Sequence, residues 1–421
     1  MGRRKPPRNQ RHSCSDNMTY ADRETLSRSG TLKSAHIAII GAGLSGSLCA
    51  VVLARAGHRV TLIDKHSVYP KQFRVEKIVG RQIDLMRKLG VFDSIAGEAT
   101  PFHDILNVRA GSIVDRNQDP HFGILYEDIV RIVRAQLPAS VDLIIDDVRD
   151  IQTTPQTQQI SLSSRGAIKA DLIILATGVA DSLRHKIGIG RRIVAEKQSI
   201  SFGFTVAPKT KRTPAFQALT YYGAGASNRI DYLSLFPVGG LLRANLFTFL
   251  DHEDLWIREF RRDPIARLFH ALPGLSNFVG EIEPIDKVQN WVMDLSIAEN
   301  VHQDGIVLVG DAFQTSCPAA GTGVTRLLTD IDRLCNVLIP QWVETPGMGK
   351  EKIKDFYSDP IKQATDLEAM RMAHYRRSLT VNRSLRWHFH RRQHFTRRRI
   401  AGWFNRTSAR QSAEPNRADI G

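Results

Sequence analysis

From residue 36 onward the apolar positions change period twice within thirty residues. His36 to Ile40 is a short β-rich run. Leu44, Leu48, Val51, Val52 and Ala54 then recur at helical spacing and stop at Gly57, and Arg59 to Ile63 is again strand-like and ends on Asp64. The pattern predicts strand, turn, helix, strand and terminal acid. A run of about twenty mostly apolar residues could by length span a bilayer. Three glycines (Gly41, Gly43, Gly46) with Ser45 and Ser47 crowd its first half, so no membrane helix is expected there.

Further along, apolar positions in 76–90 (Ile78, Val79, Ile83, Leu85, Met86, Leu89) predict a helix ended by Gly90, and 127–137 predicts another with acids in its first turn. Residues 141–148 and 170–178 read as strands of the first sheet. The middle of the chain turns extended and aromatic at 199–206, 230–240 and 241–250, with Gly239-Gly240 as a hairpin turn. Short helices near 253–261 and 263–271 and a strand region over 281–295 follow. Strand, turn and a helix from Gly323 to Leu338 come next. A last helix has Asp359 as N-cap and Pro360 at its first position, with Ile361, Ala364, Leu367 and Met370 expected on its buried face. No internal repeat is present.

Composition is that of a globular protein of 421 residues, with 42% hydrophobic and 24% charged residues. Nearly all of the net charge of +15 sits in two terminal stretches. Residues 1–13 hold five basic residues and no acid, and 371–410 hold twelve arginines and no acid. The body between them is close to neutral. Residues 1 to about 34 are polar and aperiodic, which predicts a disordered basic arm without a secretory signal. The four cysteines (Cys14, Cys49, Cys317, Cys335) lie far apart in patterns that fit neither a disulfide framework nor a metal site, so a reduced, cytoplasmic setting is expected.

Gly41, Gly43 and Gly46 form G-x-G-x-x-G, with Asp64 23 residues after Gly41. Gly41 allows a tight turn, Gly43 a close backbone approach to a pyrophosphate, and Gly46 close helix–strand packing. The helix N-terminus at Leu44 and Ser45 offers free N–H groups to that pyrophosphate. Asp64 can accept hydrogen bonds from ribose hydroxyls, with Lys65 beside it. Strand, helix and acid are all in place, so the segment reads as a dinucleotide site.

A second motif has Gly310, Asp311 and Ala312, then Pro318, Gly321, Gly323 and Val324, after a predicted strand. With these two motifs, residues 35–345 resemble the group A FAD-dependent monooxygenases, the p-hydroxybenzoate hydroxylase-like flavoproteins, as a divergent member. The resemblance implies an α/β fold: a Rossmann-like FAD-binding domain (35–190 and 281–345), an inserted β-rich substrate domain (191–280) and a C-terminal helical region (346–421). It further implies that Asp311 meets the flavin ribityl chain and that the loop to Val324 faces the flavin pyrimidine. Arg74 would meet the cofactor at the edge of the nicotinamide's path, and Val148 would cup the adenine. The middle motif departs from the family: Ala176, Thr177 and Gly178 stand where A-D-G is usual, although Arg184 remains. Tyr126, Gln314 and Thr325 also replace usual residues.

The reaction implied by the resemblance is transfer of one oxygen atom from O2 through a flavin C4a-hydroperoxide, with NAD(P)H as reductant. No side-chain nucleophile is required, so no catalytic residue is assigned. The pocket is expected against the sheet 230–250, lined by Leu235 or Phe236 and by Leu246 or Phe247, since neighbours on a strand face opposite ways. Such walls point to a hydrophobic aromatic, polyketide or isoprenoid-like substrate. Cys317 is a candidate for tuning the flavin, with a small buried apolar role as the alternative, while Tyr232 and Arg243 are expected to be structural. Alternatives of other classes are a geranylgeranyl-reductase-like oxidoreductase, a flavin-dependent halogenase (whose W-x-W-x-I-P signature is missing around Trp291) and a non-catalytic FAD-binding protein. The C-terminal arginines interleave with Trp387, Phe389, Phe395, Trp403 and Phe404. This pattern suits peripheral contact with an anionic membrane ahead of nucleic acid. Ahead of both stands a helix whose aromatics pack on the body of the protein and whose arginines are solvated.

Overall fold

The computed structural model describes residues 33–74, 76–210 and 216–413, with side chains described as far as Trp403. The expected disordered arm lies outside the described residues, apart from its last two positions. The first sheet is fully parallel, in the order Ile306–Leu308, Leu172–Leu175, His36–Ile40, Arg59–Asp64, Asp142–Ile145. Its inner strands are buried on both faces, as a parallel sheet covered by helices requires. The edge strand leaves Leu143 and Ile145 partly exposed. The helix Leu44–Arg55 is buried almost all round, which accounts for its near-continuous apolar sequence. Each of its buried Leu and Val side chains contributes about 1.5–3 kcal/mol.

A larger sheet supplies the second wall of the molecule. It runs Ile282–Pro284, Gly190–Pro208, Leu241–Thr248, Ile230–Val238, Ala218–Tyr222, Ile105–Arg109, Ser112–Asn117, with Gln289–Glu299 also paired to Gly190–Pro208. The sheet therefore draws Ile105–Asn117 and Gln289–Glu299 from outside the expected insertion 191–280, which does not form a sheet of its own. The hairpin at Gly239-Gly240 is tight because both glycines take positive φ (57° and 84°).

Several expectations are corrected. Residues 76–90 do not form one helix: Lys77–Val79 is a strand paired to His121–Gly123, Gly80 turns at φ 46°, and only Arg81–Lys88 is helical. The strand over 141–148 ends at Ile145 and a new one starts at Val148. The Gly323 helix is regular to Arg333, passes through a π-turn at Leu334–Leu338 and continues to Trp342.

The helix Pro360–Val381 is capped by Asp359 as expected, with its carboxylate accepting from the Ile361 and Lys362 N–H groups, but it buries the opposite face. Ile361 and Leu367 are 44% and 50% exposed, while Lys362 is 1% exposed. The ammonium of Lys362 meets Asp330 at 2.9 Å and Asp366 at 2.8 Å and lies over the Phe313 and Phe356 rings. Paired charge reverses the face that hydrophobicity alone predicts.

The arginine-rich helix Leu385–Ala413 docks on the edge of the large sheet. Arg398 is bidentate to Asp115 (2.7 and 2.9 Å) and donates to Tyr222 Oη at 2.8 Å. Phe395 is buried under Arg109. A Cβ on Gly402 would lie 2.8 Å from Asp115 Cβ, so the glycine permits the close approach. Arginines that read as membrane-facing are thus in part intramolecular, and the geometry gives the membrane reading no support. Among the described residues no helix is long and apolar enough to cross a membrane.

Candidate functional site

The parallel sheet reverses direction of winding between His36–Ile40 and Leu172–Leu175, and a crevice opens at their C-terminal ends, as open α/β sheets require at a switch point. Gly41 occupies the tight turn there at φ 100°. A Cβ on it would meet Ala176 O at 2.6 Å, and a Cβ on Gly46 would meet Gly41 O at 1.8 Å. Both glycines are dictated by backbone packing. Gly43 differs: it has ordinary φ and room for a Cβ, 3.6 Å from Tyr69. Its missing side chain matters only to what approaches it from the crevice.

That crevice is the mouth of one cavity of about 940 Å³. The cavity gathers residues far apart in sequence. Gly41, Gly43, Leu44, Ser45, Asp64, Lys65 and Val148 line it, as do Arg74, Asp311, Pro318, Gly321, Gly323 and Val324. Gly46 and Gly310 support it from behind. Gly310 turns at φ 60°, donates to Asp330 Oδ2 at 3.0 Å, and packs so closely that its Cβ would lie 2.6 Å from Ser45 Oγ. The two glycine motifs are in direct contact.

Two helices aim uncapped N-termini at this space, at Leu44 and at Gly323, and neither has a side-chain cap. Their free N–H groups and positive dipole ends suit an anionic or electron-rich ligand. Asp64 accepts from Ala42 N at 2.6 Å and His66 N at 2.7 Å, which fixes its carboxylate at the cavity edge. Thr177 Oγ1 and Trp291 Nε1 are buried without a partner among the described residues, and both residues line the cavity. Buried polar atoms of this kind await a ligand.

Arg74 and Asp311, each expected to meet the cofactor, ion-pair at 3.0 Å, and the Arg74 guanidinium lies 4.2 Å from the Trp291 ring centroid. Arg191 donates to the Asp311 carbonyl. Tyr126 is edge-on to Tyr69, and burial pushes its hydroxyl far above its ordinary range. Arg184 points away from the cavity, donating at 3.4 Å to the Ala180 and Gly190 carbonyls and contacting Asp181. Gln314 donates to the Asp366 carbonyl, and Arg326 binds the Gln314 carbonyl, so this residue ties the turn after Asp311 to the two flanking helices.

The far wall is the large sheet. Phe236 and Phe247 face the cavity, whereas Leu235 and Leu246 are fully buried in the core behind, which decides both pairs. Tyr232 joins them and donates to Ala319 O at 3.2 Å. Cys317 lines the cavity as well: burial pushes its thiol up, partly offset by Ser199 at 3.6 Å. Arg243 holds Glu76 in a buried bidentate pair at 2.8 and 2.9 Å. The reading of the sequence missed Ser201, Trp291, Met293, Glu76 and Lys77. Alternation on Gln289–Glu299 would have found Trp291 and Met293; nothing local marks the others.

Comparison with known proteins gives these observations a frame. The family described as FAD binding domain matches residues 34–364. Kynurenine 3-monooxygenase of Flavobacterium johnsoniae is 22% identical over 382 residues, covering 83% of this chain and 81% of that protein. The 3-demethoxyubiquinol 3-hydroxylase of Escherichia coli is 24% identical over 364 residues, covering 79% and 88%. Among solved structures, p-nitrophenol 4-monooxygenase PnpA from Pseudomonas putida has a TM-score of 0.70 at 16% identity, covering 87% of this chain and 93% of that one. The flavin-dependent brominase Bmp2 has a TM-score of 0.65 at 18% identity, covering 83% and 91%. At such identities the structural likeness carries the fold alone. The matched family spans most of the chain and includes both glycine motifs, the crevice and the facing sheet: the chain belongs to the FAD binding domain family of flavoproteins.

Proposed function

We propose that this chain is an FAD-dependent monooxygenase that inserts one oxygen atom of O2 into a hydrophobic, ring-bearing small molecule, with NAD(P)H as reductant. The observation that carries the reading is a single cavity running from two uncapped helix N-termini to an aromatic sheet wall. The cavity suits FAD: Gly43 leaves open approach, Asp64 at the cavity edge would meet the ribose, and Thr177 Oγ1 lacks a partner among the described residues. Bound FAD supplies the redox chemistry and the activation of O2.

The chain's own residues bind, orient and exclude water. The Leu44 N-terminus would receive the pyrophosphate, with Lys65 and Val148 toward the adenosine end. Asp311 and Arg74 would hold the ribityl region, and the Gly323 N-terminus would face the electron-rich edge of the ring. The Tyr232, Phe247 and Trp291 side chains would cover the substrate and keep water out. The 191–280 insertion with its recruited strands serves as the substrate domain. Relatives bearing the names monooxygenase and hydroxylase support this reading over the halogenase alternative, whose support is fold alone.

The test is spectroscopic and then respiratory. Purified protein reconstituted with FAD should show flavin absorption that bleaches anaerobically with NADPH or NADH, and its oxygen uptake should depend on added substrate. A protein that retains no FAD, or that reduces double bonds without consuming O2, refutes the proposal.

A further inference from the structure

The sheet wall of the cavity is ordered in three registers. The pairs Trp291–Ser201, Ser201–Phe247 and Phe247–Tyr232 form one continuous cross-strand row, tied to the Pro318–Gly321 loop through Tyr232 and Ala319. Gly203–Asn245 and Asn245–Ser234 form the next row. The third row is Thr205–Arg243–Phe236. Two residues along a strand separate the first row from the second, about 7 Å. An aromatic zone near the loop is thus followed by a polar zone one ring-length deeper.

Lys77 stands over this polar zone. Its ammonium donates to Ser234 Oγ at 3.3 Å and lies 5.7 Å from the Phe236 ring centroid. Among the described residues no carboxylate ion-pairs with it. The adjacent Glu76 is taken by both arms of the Arg243 guanidinium, and the Asn245 amide nitrogen, oriented to satisfy its neighbours, donates to it at 3.0 Å. His121, the titratable side chain on the paired strand, is pushed toward its neutral form by burial. Burial also pulls Lys77 down to about 8. A cation without a counter-ion in a partly desolvated, aromatic-walled cavity gains from any anion that reaches it.

Building on the monooxygenase reading, we propose that Lys77, beside Ser234, determines the substrate specificity of this chain by pairing with an acidic oxygen on the ring-bearing substrate. The ring would lie along Tyr232, Phe247 and Trp291. The acidic oxygen would pair with Lys77 beside Ser234.

The test uses the FAD-loaded full chain and matched probes: hydroxynaphthoates with their methyl esters, and nitrophenols with their methyl ethers. Binding is followed by perturbation of the flavin absorption band. The expected result is that at least one acid binds ten-fold or more tighter than its neutral partner. Lys77→Met should abolish this preference while leaving the flavin spectrum and the affinity for the neutral partner unchanged, and Lys77→Arg should keep it. Ser234→Ala, a smaller perturbation, should weaken it about three-fold. The proposal is overturned if no acid outbinds its neutral partner, or if Lys77→Met retains the full preference. A chain that takes up O2 with substrate yet shows no charge preference sinks this inference alone; one that holds no FAD sinks the functional reading as well.

Discussion

The buried Glu76–Arg243 pair offers the sharpest test of the energetics. The two side chains are 1% and 4% exposed, and two parallel hydrogen bonds of 2.8 and 2.9 Å join them. Arg243 also touches Asp286 at 3.2 Å, but that acid is half exposed and can return to water. Arg243→Met keeps most of the stem and removes the charge, which leaves Glu76 buried with Asn245 as its remaining partner. Breaking a buried pair from one side costs about 3–5 kcal/mol, whereas replacing both partners by apolar groups is often close to neutral. The double substitution Arg243→Met with Glu76→Met should therefore be more stable than Arg243→Met alone.

The pH dependence has a definite sign. Burial raises the Glu76 pKa above its ordinary value, and Arg243 opposes this; without Arg243 it climbs further. A group whose folded pKa lies above its unfolded value contributes stability that is fully present below the unfolded pKa and is lost as pH rises through the folded one. The Arg243→Met deficit should shrink between pH 8 and pH 5.5, by up to about 1.4 kcal/mol for each pH unit in the window between the two pKa values. Urea unfolding of the FAD-loaded protein at both pH values, followed by circular dichroism, measures this. Equal losses for the single and double variants, or a deficit that does not change with pH, would refute the argument that Glu76 is a desolvated carboxylate held by Arg243.

Three further outcomes are expected. Gly46→Ala forces a Cβ against Gly41 O and should destabilise the protein by about 1–3 kcal/mol and weaken FAD binding ten-fold or more, read by flavin fluorescence. Lys362→Met leaves Asp330 and Asp366 with Arg326 as their one remaining cation among the described residues and should cost about 3 kcal/mol at neutral pH, less in acid because burial already raises the Asp366 pKa; thermal unfolding at two pH values checks both parts. Arg398→Met, at a partly exposed pair, should cost only about 1 kcal/mol, leave FAD binding unchanged and speed proteolytic cleavage in the last helix.

Both glycine motifs were legible because their requirements are local: a turn of positive φ, a helix that follows, an acid at the end of the next strand. The apolar alternation of 230–250 was equally legible, and the side of the sheet on which the cavity lies only had to choose between Phe236 and Leu235 and between Phe247 and Leu246. Where the sequence misled, long-range charge was at work. The Pro360–Val381 helix buries Lys362 because Asp330, from another helix, waits there. The sequence left the last helix open between packing on the body and a membrane surface, and Asp115 and Tyr222 decide for packing by supplying its partners.

The sequence by itself determined the class of the protein, since a dinucleotide cradle is written in short-range backbone chemistry within thirty residues. Only the tertiary structure decided which side chains share the cavity. It set Arg74 against Asp311 across 237 positions, brought Gly310 against Ser45, and left Lys77 over Ser234 without an ion-paired carboxylate among the described residues. Pairing across such separations depends on strand register and helix docking, which no window of sequence contains.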